Sequence, residues 1–334
     1  MLKKRKEASY VYGPVPSRRL GFSLGVDILP FKTCSLDCIY CQLGRTARKA
    51  GRRTRSFSSR DILSQIKDAI DRNPQTDHIT FSGSGEPTLN TEIGGLIREI
   101  KKMTALPVVV LTNSSLLTRK TVRQALLAAD IVVPSLDAAT AASFRRVNRP
   151  LPSIKVADIL RGLALFRREF PGRIWLEVML VKGINDSPAD IRALKKAVGR
   201  IRPDRVQLNT VVRPPAEKWA RPLSRAALSR IKKALGERAE VVVDFRRRAA
   251  SPGDQDLKKA ILAVTRRRPV TLADMTSSLG RKKTELRPHL ETLLRWNRVS
   301  RQRHKGSIYY SAAEPARGKR ERIPEIAGRS GGGQ

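Results

Sequence analysis

Cys34-Ser35-Leu36-Asp37-Cys38-Ile39-Tyr40-Cys41 holds every cysteine of the 334-residue chain. Three thiolates in one tight loop can bind an iron–sulfur cluster. A [4Fe–4S] cluster takes four ligands, so one iron would be left open to a group that is not a cysteine. A structural zinc site is the competing use, but it needs four protein ligands, usually as two short pairs. The only histidines, His78, His289 and His304, are remote from the triplet in sequence. An odd cysteine count argues against a disulfide framework, and a CxxC redox pair would leave Cys34 idle.

The elements around the triplet alternate. Ser23 to Leu29 reads as a strand feeding the cysteine loop. Further strands are read at His78–Phe81, Pro107–Leu111, Ile131–Val133, Ile174–Val181 and Arg205–Thr210, with a short terminal strand at Val241–Val243. Helical periodicity fills the intervals, from Asp61, Thr91, Thr118, Ser153, Ser187 and Ser224, with Thr118 and Ser153 read as N-caps and Pro188 at a first helical position. Strand–helix alternation predicts a parallel sheet with crossover helices. Polar residues recur where the apolar strands end: Glu86, Asn113, Ser135, Asp137, Asn185, and Gln207 with Asn209. In parallel barrels such ends face the active site, although Asn185 reads equally as a turn residue. Glu177, inside an apolar strand, calls for a partner or a function.

The spacing Cys-x3-Cys-x2-Cys, with Tyr40 before the last cysteine, resembles the signature of the radical S-adenosylmethionine (radical SAM) superfamily. That resemblance covers about residues 10–245. It implies a partial (β/α)6 TIM-like barrel, a [4Fe–4S] cluster on Cys34, Cys38 and Cys41, and SAM bound at the fourth iron. Reductive cleavage of SAM would give a 5′-deoxyadenosyl radical that abstracts hydrogen from a substrate. A reducing electron donor such as flavodoxin or ferredoxin is implied as partner. The cofactor-binding positions implied are Tyr40 by the adenine and the Gly83-Ser84-Gly85-Glu86 turn. The turn resembles the family's Gly-Gly-Glu motif with Ser84 inserted, Glu86 accepting from the SAM ammonium. Ser135 and Asp137 resemble its Ser-x-Asp motif. Asn113, Gln207 and Asn209 complete the set, and Arg149 is either a carboxylate partner or a surface ion pair. Tyr12 to Gly21 and Arg213-Pro214-Pro215 resemble poorly characterised Fe–S oxidoreductases grouped loosely with wyosine-forming tRNA enzymes. With no cysteine outside the triplet, there is no auxiliary cysteine-ligated cluster and no cysteine methyl carrier. That speaks against tricyclic wyosine synthases, methylthiotransferases and twin-cluster maturases.

A formal charge of +37 favours polyanionic partners, nucleic acid first. Hydrophobic residues at 40% suffice for a core. No run of eighteen apolar residues predicts a membrane span, and the basic opening lacks a signal-peptide core, so a cytoplasmic location is expected. The division reads as a basic arm (1–12), a barrel (13–245), a linker (246–253), a small domain (254–311) and a disordered basic tail (312–334). Within 254–311, three helical patterns precede a hairpin around His304-Lys305-Gly306, which resembles a winged helix-turn-helix. The substrate is expected to be a macromolecule such as RNA, or a protein. The alternative is a cluster-containing DNA-binding regulator that does not turn over SAM. Arg18 and Arg19 read equally as phosphate or carboxylate contacts and as surface charge, and Arg213 as a holder of a substrate anion.

Overall fold

The computed structural model describes residues 9–17, 20–46, 48–242 and 257–313. Arg18, Arg19, the linker 246–253 and nearly all of the tail lie outside those residues. An eight-stranded sheet carries the large unit, in the order β1 (Val11–Ser17), β2 (Gly21–Val26), β3 (His78–Phe81), β4 (Val108–Thr112), β5 (Ile131–Pro134), β6 (Arg173–Leu180), β7 (Arg205–Thr210) and β8 (Ala239–Val241). Strands β2 to β8 are parallel, as Val/Ile/Leu-rich runs covered on both faces require. The chain therefore has an α/β fold with a mostly parallel sheet.

Crossover helices α1 (Ser59–Arg72), α2 (Ile93–Met103), α3 (Lys120–Leu126), α4 (Ala141–Asn148), α5 (Val156–Glu169), α6 (Pro188–Ile201) and α7 (Arg225–Leu235) cover the sheet. Each is amphipathic; Ile62 and Ile66 of α1, and Leu96, Ile97 and Ile100 of α2, are buried in one core. Ser187 and Ser224 cap α6 and α7, accepting from the amides of Asp190 and Ala227. Thr118 and Ser153 do not cap. Turns at Ser114–Leu117 and Leu116–Arg119 delay α3 to Lys120, and a Leu151–Ile154 turn delays α5 to Val156.

Two elements differ from the sequence reading. Helix α4 is an additional eight-residue helix inside the loop after β5, capped by Thr140. The Gly- and Pro-rich segment at Tyr12 is strand β1, antiparallel to β2 with an irregularity between Tyr12 and Val15. Prolines and glycines are tolerated there because β1 is an edge strand.

The small unit runs α8 (Leu257–Arg267), β9 (Val270–Thr271), α9 (Leu272–Leu279), α10 (Lys283–Arg295), β10 (Val299–His304) and β11 (Ser307–Ala312), with sheet order β10–β11–β9. A reciprocal Thr271–Asp274 capping box starts α9 and Gly280 ends it at φ 62°. The β10–β11 turn is the two residues Lys305 (φ 48°) and Gly306 (φ 77°), both left-handed as a tight hairpin of this type demands. Ile261, Val264, Met275, Leu286, Leu290 and Leu293 form its core together with Val15 of β1. The large unit thus contributes a side chain to the core of the small one.

Candidate functional site

A cavity of about 390 Å³ opens at the C-terminal ends of the parallel strands. Cys34, Cys38 and Cys41 line it, with Lys32, Tyr40, Gly83, Ser84, Gly85, Glu177, Asn209 and Arg213. The loop geometry follows from local constraints. The Cys41 and Gly44 amides donate to the carbonyls of Cys38 and Cys41, forming successive turns. The Asp37 carboxylate accepts from the Thr46 amide at 2.6 Å. The Glu217 amide, in the segment after β7, donates to Ile39 O at 2.9 Å and pins the loop from above.

Each thiol receives one N–H donor from elsewhere. Asn113 Nδ2 lies 3.5 Å from Cys34 Sγ, Asn148 Nδ2 3.3 Å from Cys38 Sγ, and Lys32 Nζ 3.2 Å from Cys41 Sγ. Burial pushes the Cys34 thiol up to about 12 and Cys38 well above the ordinary thiol value. Such thiolates persist only beside compensating positive charge, as a bound metal supplies. Among the described residues, no three His, Cys, Asp or Glu side chains converge on a single metal ion. A group with several iron atoms, reaching three thiols that line one cavity, suits this all-sulfur donor set better than mononuclear zinc.

The glycine turn after β3 is shaped by close approach. Gly83 has φ 140°, and a Cβ there would meet the Asp27 carboxylate carbon at 2.5 Å. A Cβ on Gly85 would lie 1.9 Å from Thr33 O. Ser84, the departure from a Gly-Gly pair, donates its hydroxyl to Asp27 Oδ2 at 2.5 Å and its amide at 3.1 Å.

Glu86 is placed differently from the sequence expectation. Its carboxylate is buried beneath the turn, accepting from Thr88 Oγ1 (2.5 Å), Thr112 Oγ1 (2.7 Å), and the amides of Thr88 (3.1 Å) and Asn113 (2.6 Å). Burial still raises its pKa, opposed by these four donors. It joins the ends of β3 and β4, and the glycines above it form the cavity wall.

Asp137 is likewise a buried node. Tyr40 Oη and Asn148 Nδ2 (2.6 Å) donate to Oδ2, and the Met179 amide (2.9 Å) donates to Oδ1. Burial raises it to about 6 against those donors. Tyr40, fixed by this bond, lines the cavity beside Cys41, and burial followed by the Asp137 charge raises its phenol. Ser135 and Asp137 border a separate void of about 10 Å³ with Asn113 and Asn148. Asn185 is a turn residue, accepting from the Val181 amide and donating to Asp137 O and Met179 O.

Arg149 does not line the cavity. Held at φ 44° at the end of α4, it donates to Glu217 Oε1 at 2.6 Å and lies 3.7 Å from Asp37. Gln207 and Asn209 separate: Asn209 faces the cavity and donates to Glu177 Oε1 at 3.2 Å, whereas Gln207 is buried and donates to Glu240 Oε1 at 3.0 Å. Arg213 NH1 donates to Gln42 Oε1 at 3.0 Å. Lys32, Asn148 and Asp27 were not singled out from sequence. Only Asp27 and Lys32 carried a signal, their closeness to the triplet.

The sequence matches the radical SAM superfamily over residues 28–194, and the chain belongs to that family. Its cofactors are a [4Fe–4S] cluster and S-adenosyl-L-methionine. The chain is 39% identical over 205 residues to a UPF0026 protein of Synechocystis, covering 61% of this chain and 76% of that one. A UPF0026 protein of Methanocaldococcus jannaschii is 36% identical over 213 residues, covering 63% of this chain and 66% of that one. A protein of Brachyspira hyodysenteriae named GTPase Obg is 42% identical over 242 residues, 72% of this chain but only 36% of its own length. The chain thus spans about a third of one of these relatives and just under two thirds of another. A solved radical SAM methyltransferase from Sphaerobacter thermophilus overlays with a TM-score of 0.49 at 20% identity, over 66% of this chain and 65% of that one. No helix among the described residues is long and apolar enough to cross a membrane.

Proposed function

We propose that the chain is a radical SAM enzyme with one cluster, held by Cys34, Cys38 and Cys41, and that SAM occupies the cavity those cysteines line. When bound, the cluster and SAM supply a one-electron reductive cleavage that yields a 5′-deoxyadenosyl radical for hydrogen abstraction. The chain's own residues have definable parts. Tyr40, fixed through Asp137, offers a flat wall for the adenine. The Gly83–Gly85 turn brings backbone close to the ligand, with Glu86 holding that turn from below. Asn209 presents a polar group to the cavity, while Asn113, outside its wall, donates to Cys34. The observation that carries this reading is the joining of all three thiols, the glycine turn and Asn209 in one cavity.

The substrate is a macromolecule in this reading, with nucleic acid favoured, and residues 254–311 act as a winged helix that presents it. Supporting this are the helix–strand–helix–helix–hairpin order and the exposed Lys282, Lys283 and Arg287 at the start of α10. Such a helix places cations toward phosphates.

Anaerobic reconstitution with iron and sulfide, chemical reduction, and detection of 5′-deoxyadenosine from SAM test the proposal. Cleavage in wild type, absent in a Cys34→Ala, Cys38→Ala, Cys41→Ala triple variant, is the expected result. A full four-iron cluster without cleavage, even with cell RNA present, would overturn it. Cluster-dependent DNA affinity in that case would make the chain a regulator.

A further inference from the structure

Among the side-chain N–H donors that reach the thiols, Asn113 and Asn148 offer neutral amides, whereas Lys32 offers an ammonium. That ammonium is set in place from several sides. Lys32 has a left-handed backbone (φ 60°), unusual for a residue with a Cβ. Its amide donates to Ser84 O at 2.7 Å, and its Nζ donates to Gly44 O at 2.6 Å as well as to Cys41 Sγ. The next residue, Thr33, accepts from the Glu86 amide at 2.9 Å, and its carbonyl fills the space that a Cβ on Gly85 would need. The glycine turn therefore fixes the segment that carries the cation, and the cation bridges the third cysteine and the turn that follows it. Placing a lysine at positive φ beneath a glycine turn costs conformational energy, which a solvent-facing lysine would not require.

On the reading that the three cysteines hold a four-iron cluster, we propose that Lys32 sets the ease with which that cluster accepts its electron. Reduction adds one negative charge to a cluster already carrying three thiolates, the electron coming from a low-potential one-electron donor. A fixed positive charge and an N–H···S bond at a ligand sulfur favour the more negative state, since cluster potentials respond to net charge and to hydrogen bonds at sulfur. Lys32 is thus a positioning residue for electron entry. The neutral donors to Cys34 and Cys38 add hydrogen bonds without charge, so Lys32 is expected to carry the largest share of this tuning among the three.

The test uses the full chain, reconstituted without oxygen, as wild type, Lys32→Gln, Lys32→Met and Lys32→Arg. Iron and sulfide are counted, SAM affinity is measured in the oxidised state, and the reduced cluster is followed by electron paramagnetic resonance during a redox titration. The expected result is a reduction equilibrium at least tenfold less favourable in Lys32→Gln and Lys32→Met, equal to 59 mV for one electron. Lys32→Arg stays near wild type, and all four proteins keep full iron. A midpoint unchanged in the neutral variants overturns the proposal, as does an Arg variant shifted as far as the Gln variant. A loss of SAM affinity at constant midpoint would assign the ammonium to SAM instead. Iron lost from both neutral variants would assign it to assembly of the Gly44 loop. Wild type that binds no iron would overturn the cluster reading itself, a different failure from any of these.

Discussion

Lys305 Nζ donates to Val211 O at 2.8 Å. Two residues on the same hairpin reach the same segment, since Tyr309 Oη donates to Val212 O at 3.2 Å. The β10–β11 turn therefore rests on the loop after β7, which continues to Arg213 at the cavity and to Glu217 on the cysteine loop. A basic hairpin tip reads from sequence as a phosphate contact; here it is an intramolecular one. With Lys305 committed to Val211, the α10 start is the surface of this unit proposed to meet phosphates. Lys283→Ala and Arg287→Ala should each lower the magnitude of the log–log salt slope for tRNA binding by about 1, as lost phosphate contacts do. Lys305→Ala should leave the slope unchanged. Filter binding across a salt series checks this.

Two glycines of the large unit should respond in opposite directions to alanine. Gly85→Ala drives a Cβ into Thr33 O, a backbone atom that cannot swing away. It should cost about 1–3 kcal/mol of stability, as overpacking does, and reduce iron uptake. Gly95, within α2, has nothing within 4 Å of its added Cβ. Gly95→Ala should stabilise by about 0.4–1 kcal/mol. Urea unfolding of both variants gives the signs directly.

Asn148 serves two neighbours with one amide, 2.6 Å from Asp137 and 3.3 Å from Cys38. Asn148→Ala leaves Asp137 short of a donor in a buried setting and should cost about 1–3 kcal/mol. Asn148→Asp sets a carboxylate against Asp137 and a ligand sulfur, so it should bind less iron than Asn148→Ala after reconstitution. Iron analysis and a denaturant titration separate the two effects.

The Arg123–Glu169 pair ties α3 to α5 at 2.9 Å. Arg123 is buried while a third of the Glu169 side chain is exposed. The hydrogen bond from Arg123 holds the Glu169 carboxyl below its ordinary value. A lowered native pKa stabilises fully above the unfolded value and is lost as pH falls through the native one. Glu169→Gln should therefore be less stable than wild type at neutral pH, by under about 1 kcal/mol because solvent screens the pair. The difference should vanish in acid. Thermal melts across pH read it.

What the sequence revealed was local. The cysteine spacing, the apolar runs of β2 to β7 and the Ser187-Pro188 helix start each lie within a few residues, where periodicity and capping chemistry act. What it hid was separated along the chain. Asn148 reaches Cys38 across 110 positions and Asn113 reaches Cys34 across 79, and no local pattern encodes such a meeting. Glu86 and Asp137 stood out correctly as polar residues at strand ends. Their side chains turned inward because buried backbone amides and hydroxyls at those ends also need acceptors. Thr118 and Ser153 resembled caps but lie within turns that postpone their helices. Strand β1 was masked by the same prolines and glycines that mark it as an edge.

Val15 sits in β1 near the start of the chain, yet packs with Ile261, Met275 and Leu286. A ribosome delivers it some 240 residues ahead of those partners. A fragment beginning at residue 254 would lack part of its own interior, and one ending at residue 245 would show water an apolar strand face. Neither piece is a natural unit for expression. Removing the first seventeen residues should harm the far end of the molecule as much as the near one.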